Sequence, residues 1–205
     1  MKSRQLAVDG AIEFQPEVFS DDRGVFVSPF QESAFTEASG GPLFPVAQTN
    51  HSRSRRGVVR GLHFTRTPPG VAKYVYCPHG RTLDIVVDIR RGSPTFGHWE
   101  TVLLDPTEFR SVYLPVGVAH AFVALEDHTV VSYMISGEYV KGDELAVAVL
   151  DAAFGLPIPE DIDPIMSGRD RAAPTLAEAD ASGLLPDYEE SRRIERELRS
   201  RWTAR

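Results

Sequence analysis

Between Ala11 and Ala148 the chain runs as short apolar or alternating stretches broken by Gly, Pro, Asp and Asn. That pattern predicts β-strands joined by turns. The candidates are "VFVSPF", "FPVAQTNHS", "GVVRGLHF", "AKYVYC", "RTLDIVVDIR", "HWETVLLD", "RSVYLP", "GVAHAFVALED" and "HTVVSYMIS". Turn signals such as "PHGR" and "RRGSPTFG" recur at the spacing of an all-β sandwich or barrel. "QESAFTEAS" reads as a short helix, but no helix separates successive strands, which argues against a parallel βαβ sheet. After Asp151 the chain becomes Pro-rich and irregular, then turns helical at "PTLAEAD" and "YEESRRIERELRSRW". In the last of these, Ile194, Leu198 and Trp202 recur every fourth residue, a thin apolar stripe that leans on the domain or on a partner. The expectation is a single domain over 1–205, with a β core at about 11–150 and helices in 151–205.

Composition narrows the function more than the fold. A length of 205 residues with 42% hydrophobic and 25% charged side chains is ordinary for a soluble globular chain. A net charge of -7 argues against an extended nucleic-acid surface. No apolar run reaches the ~20 residues of a spanning helix, and "MKSRQLAVDG" lacks a signal-peptide apolar region. One cysteine, Cys77, allows no internal disulfide, suits a reducing cytoplasm and reads as a small core residue.

Among candidate chemistries, metal binding is weakly supported. The six histidines form no HxH or HxxxH pair, and only His63 and His120 sit in apolar strands. Asp84 and Asp88 share a strand face, but no histidine pattern joins them. There is no GxSxG elbow and no glycine-rich phosphate loop. Acid–base chemistry fares better. Strict alternation in "GVVRGLHF" puts Val59, Gly61 and His63 on one face and Val58, Arg60, Leu62 and Phe64 on the other, unless Gly61 marks a bulge. Taken alone, His63 reads as a core histidine and Lys73 as a sheet lysine reaching for solvent. Taken together, Arg60, His63, Lys73 and His120 make a cationic interior suited to an anionic small molecule.

The segments "RGLHF", "GSPTFGHWETVLL", "YLPVGVAHAF", "SYMISGEY" and "PIMSGRDRAAP" occur in an order that resembles the dTDP-4-dehydrorhamnose 3,5-epimerase family. The resemblance runs from about Ile12 to Glu190, and "HFTRTPPGVAKYV" is similar to members that serve secondary-metabolite deoxysugars. It implies a cupin-type jelly roll, mainly β with short C-terminal helices, that epimerises a dTDP-4-keto-6-deoxyhexose at C3, C5 or both. By position it implies His63 as base, Asp170 as its partner, Lys73 as enolate stabiliser and Tyr139 as the opposing acid. Arg23 and Arg60 match pyrophosphate-binding arginines. Phe26 matches a ring near the nucleoside, while Gln48, Asn50, His120 and Glu144 match other pocket positions. The family implies no metal, no cofactor and a homodimer, with Arg23 reaching the neighbouring subunit's site.

The chain departs from the family at Ser28, where Glu is common, and in "VKGDEL" after Tyr139. It departs again in "VLD" at 149–151. The segment after Tyr139 bears on which carbon is reprotonated, so a C3-only or C5-only reaction stands as an alternative. A cupin that binds a nucleotide-sugar without catalysis is a further one, disfavoured by the joint presence of His63, Asp170, Lys73 and Tyr139.

Overall fold

The computed structural model describes residues 1–203, with side chains described through residue 200. The strands in chain order are β1 (Lys2–Gln5), β2 (Ile12–Gln15), β3 (Val18–Asp21), β4 (Gly24–Val27) and β5 (Gln48–Ser54). Next come β6 (Val59–Thr65), β7 (Lys73–His79), β8 (Thr82–Val87), β9 (Trp99–Leu104) and β10 (Ser111–Leu114). The last strands are β11 (Ala119–Ala124), β12 (Thr129–Ile135) and β13 (Glu144–Ala146). The helices are α1 (Glu32–Ser39), α2 (Gly168–Arg171), α3 (Leu176–Ala181) and α4 (Tyr188–Thr203). Two antiparallel sheets, ordered β1-β2-β10-β7-β12-β5 and β13-β6-β11-β8-β9, make the cupin-type jelly roll, and β3 and β4 form a separate hairpin.

Side-chain alternation divides the apolar residues among three layers. Val75, Cys77, Val86, Val112, Phe122 and Val131 meet between the sheets. Ile85, Val87, Ala119, Ala121 and Val123 face outward from the five-stranded sheet. Phe154, Ile162, Ala179 and Leu185 of the Pro-rich tail cover that outer face. This is why β11 is buried along its whole length: it has apolar cover on both sides. On the opposite face, Ile12, Phe14, Tyr74 and Tyr113 pack under Phe35 of α1 and Ile194 of α4, with Leu198 alongside. The stripe on α4 thus docks on its own sheet. Trp202, the third member of that stripe, lies outside the described side chains. Burial of the Cys77 thiol pushes its pKa up to about 12, consistent with an inert core residue.

Several elements depart from what the sequence pattern predicts. Strand β1 has no counterpart there because all four of its residues are exposed and polar, leaving no alternation to detect. Within "VFVSPF" the strand stops at Val27. The segment "MSGRD" contains a helical turn, α2, whose Ser167 hydroxyl caps the Asp170 amide. The altered "VLD" segment helps to start α3, where the Asp151 carboxylate accepts from the Leu176 amide at 2.8 Å. α3 is also held by a Thr175/Glu178 capping box.

Candidate active site

The cationic residues converge because of one irregularity in β6. Against β11, His63 pairs with His120 and Arg60 pairs with Phe122, so Gly61 and Leu62 together face the single residue Ala121. This is a β-bulge, and it corrects the face assignment that strict alternation gives. Arg60 and His63, three residues apart, both reach the same cleft. Gly61 is required there: its φ is +134°, and a methyl group would lie 2.4 Å from the Ala121 side chain.

The cleft, about 160 Å³, lies between the sheets. One wall carries Arg60 and His63 from β6 with His120 and Phe122 from β11. The other carries Lys73 from β7, Tyr133 and Ile135 from β12, and Asn50 and Ser52 from β5. Register explains the second wall, since Lys73 stands opposite Ile135 and Asn50 opposite Tyr133. Glu144 closes one end, accepting from the Thr65 hydroxyl at 2.9 Å. Tyr139 reaches the cleft from the loop between β12 and β13. Its backbone N–H donates to Gln48 Oε1 at 2.9 Å, and Gln48 Nε2 donates to Asn50 Oδ1 at 2.6 Å. Gln48 therefore acts on the cleft through its neighbours.

Asp170 arrives from a distant part of the chain. Val59 N–H donates to Ile165 O at 3.0 Å and Ile165 N–H to Gly57 O at 2.9 Å, pinning the tail against β6. The turn of α2 then sets the Asp170 carboxylate 2.7 Å from His63 Nε2. Asp170 is 3% exposed. Burial pushes its pKa upward, but the His63 bond, the Ser167 hydroxyl and the Arg169 charge together hold it below the usual carboxylate value. An ionised Asp170 accepts a hydrogen bond from Nε2–H and so leaves the Nδ1 lone pair free. Burial lowers the His63 pKa below 6.5, outweighing Asp170, and the Lys73 and Arg169 charges lower it further. Burial likewise lowers the Lys73 ammonium below 10.5, against the raising influence of Glu144 and Asp84.

Three contributors were not singled out as site residues by the sequence. Arg169, next to Asp170, lies 2.8 Å from His63 Nε2. Tyr133 lines the wall. Asp84, which the sequence offers only as an unsupported metal ligand, is fully buried with its carboxylate 3.5 Å from His120 Nδ1, and neither group has a hydrogen-bond partner among the described residues. Asp88, its supposed companion, instead holds the buried Arg90 guanidinium with bonds of 2.9 and 2.8 Å. No group of three or more His, Cys, Asp or Glu side chains among the described residues is placed to hold a metal ion.

Arg23 and Phe26 are not in the cleft of this chain. Both sit on the β3–β4 hairpin, with the Arg23 side chain 89% exposed and paired to Asp21, and Phe26 69% exposed. Ser28 follows directly after the hairpin.

The dTDP-4-dehydrorhamnose 3,5-epimerase family model matches residues 5–178. A dTDP-4-dehydrorhamnose 3,5-epimerase of Streptomyces griseus is 47% identical over 201 residues, covering 98% of this chain and 99% of that protein. The rmlC epimerase structure of Mycobacterium tuberculosis superposes with a TM-score of 0.92 at 43% identity, covering 97% of this chain and 100% of that one. ChmJ, a 3′-monoepimerase from Streptomyces bikiniensis solved with dTDP-quinovose, superposes with a TM-score of 0.90 at 43% identity, covering 95% and 98%. A match over most of the chain, on a jelly roll whose bulged strand carries a cleft histidine paired with a buried carboxylate of α2, means that the protein belongs to the dTDP-4-dehydrorhamnose 3,5-epimerase family.

Proposed function

We propose that the chain epimerises a dTDP-4-keto-6-deoxyhexose at C3, C5 or both, in deoxysugar biosynthesis. The observation that carries this reading is the His63–Asp170 pair, 2.7 Å apart, in one cleft with Lys73 and Tyr139. A 4-ketone acidifies the hydrogens on its neighbouring carbons. His63 Nδ1 takes one of them as a proton, and the C–H electron pair becomes the C=C of an enolate whose negative charge sits on the C4 oxygen. The Lys73 ammonium stabilises that oxygen, and its partly dry position strengthens the interaction. The Tyr139 phenol gives a proton to carbon from the opposite face, the C=C pair forms the new C–H bond, and the ketone is restored with inverted configuration. Asp170 keeps His63 in the required tautomer and stabilises the imidazolium. Arg60 faces the anionic diphosphate, while Asn50, His120 and Glu144 border the sugar. Gln48 steadies the loop that carries Tyr139. No oxidation occurs, and the balance needs no co-reactant.

The partner of this chain is a second copy of itself. The hairpin exposes Phe19, Val25 and Phe26 beside Arg23, an apolar arm that gains cover by seating on a neighbouring protomer. Arg23 and Phe26 then meet the nucleotide in the neighbour's cleft. We place the reaction in the cytoplasm; among the described residues no helix is long and apolar enough to cross a membrane.

The deciding measurement is deuterium incorporation from heavy water into the sugar, read by position. The wild-type protein is expected to label C3, C5 or both, and His63→Ala to label neither while its circular dichroism is unchanged. Normal labelling by His63→Ala removes the base assignment, and unlabelled sugar from the wild type leaves a protein that only binds.

A further inference from the structure

His63 Nε2 has two partners that place opposite demands on it. Asp170 Oδ1, at 2.7 Å, is an ionised carboxylate and only accepts. Arg169 Nη2, at 2.8 Å, is a guanidinium nitrogen and only donates. A neutral imidazole nitrogen carries either a hydrogen or a lone pair, so a single tautomer cannot satisfy both contacts. The Asp170 contact needs Nε2–H and leaves the Nδ1 lone pair free. The Arg169 contact needs the lone pair on Nε2 and puts the hydrogen on Nδ1, where no described residue bonds it.

The surroundings favour mobility for one partner only. Asp170 is buried and its turn is capped by Ser167, whereas the Arg169 side chain is 44% exposed. Its other polar contact among the described residues is a long approach to Asp170, at 3.5 Å. Arg169 also lines the cleft with Arg60, and together these cations face whatever anion enters.

We propose that Arg169 is a positioning residue that sets the tautomer of His63, competing with Asp170 for Nε2 until a nucleoside diphosphate draws its guanidinium away. Diphosphate binding then leaves Asp170 as the sole partner of Nε2 and uncovers the Nδ1 lone pair, so the base becomes competent only when the anionic substrate is seated. This rests on the reading of His63 as the proton-abstracting base, and it gives the substrate's diphosphate a second role besides binding.

The test is ¹⁵N NMR of histidine-labelled protein, with the His63 ring signals assigned from a His63→Asn spectrum. Without ligand, the wild-type His63 nitrogens are expected to show an averaged mixture of tautomers. Saturating dTDP should move Nε2 fully to the protonated position and Nδ1 to the lone-pair position. Arg169→Ala should show that second pattern without dTDP. It should also shift the acid limb of kcat/KM upward, because the Arg169 charge no longer lowers the His63 pKa. A wild-type protein that holds the pure Nε2–H tautomer with and without dTDP overturns the proposal. So does an Arg169→Ala spectrum identical to that of the ligand-free wild type, a comparison that stands even where dTDP perturbs no signal. Failure of the base assignment is separate: deuterium exchange by His63→Ala would remove that assignment while leaving the tautomer shift to be seen.

Discussion

His120 stands directly opposite His63 across the β6–β11 ladder, and the next pair in register is Phe122 with Arg60. The extra residue between those pairs brings Arg60 and His63 to one cleft, and Gly61 makes the bulge possible by letting the backbones of the two strands close in.

A side chain at Gly61 should therefore remove the site and weaken the fold together. In Gly61→Ala the new methyl meets the Ala121 side chain at 2.4 Å and the His120 carbonyl at 2.7 Å, at a φ of +134°. Overpacking and backbone strain each cost about 1–3 kcal/mol. Urea unfolding should show a midpoint lowered accordingly, with kcat/KM falling by about two orders of magnitude or more as Arg60 and His63 lose their common orientation. An unchanged midpoint and activity would show that β6 accommodates a side chain without the bulge.

The pH dependence follows from two buried groups of opposite requirement. In the proposed mechanism His63 must be neutral, so activity should be lost as pH falls through its folded pKa, which burial places below 6.5. The same mechanism needs Lys73 charged, so activity should be lost as pH rises through its folded pKa, which burial places below 10.5. The profile of kcat/KM, which reports the free enzyme, is expected to be a bell with both limbs displaced toward acid from the ordinary values. An acid limb above 6.5 would contradict His63 as the neutral base.

Asp84 offers an independent handle on the alkaline limb. Its carboxylate, together with that of Glu144, raises the Lys73 pKa against burial. Asp84→Asn deletes the charge at nearly constant volume, so the Lys73 pKa should fall and the alkaline limb should move to lower pH, while the acid limb stays put. Buried charge pairs are felt strongly enough for a shift of about one pH unit. A profile superimposable on the wild type would mean that Lys73 does not titrate in that limb.

Most of the jelly roll was legible because inward and outward faces alternate in strands such as β7 and β12. The strands that escaped notice are short: β1, β2 and β3 have four residues each and β13 has three, and β1 is exposed on all four. The site was harder to read than the fold. Gly61 beside Arg60 left a bulge or the close approach of a ligand open, and only the register shows a bulge that brings position 60 to the same cleft as position 63. Asp170 and His63 are 107 residues apart, and nothing local in "MSGRD" marks its turn as the one pinned to β6 through Ile165. The family motifs carried that link instead. Arg169 drew no notice, because sequence alone does not show which arginine of a polar turn leans inward.

The proposed role of Tyr139 as the opposing acid separates abstraction of a proton from its return. The Tyr139 amide is held by Gln48, and its side chain, on a residue 53% exposed, lines the cleft with His63. In Tyr139→Phe the ring and the loop anchor survive and only the phenolic proton is lost. In the proposed mechanism His63 and Lys73 still form the enolate, and His63 can return a proton to the face it came from, so solvent deuterium should enter the sugar at a rate within a few-fold of wild type. Inverted product should instead appear about 10²–10⁴-fold more slowly, the usual contribution of a positioned acid. Mass spectrometry measures the label and NMR the configuration in the same recovered sugar. Equal slowing of exchange and inversion would assign Tyr139 to substrate positioning and transfer the role of acid to another group bordering the cleft.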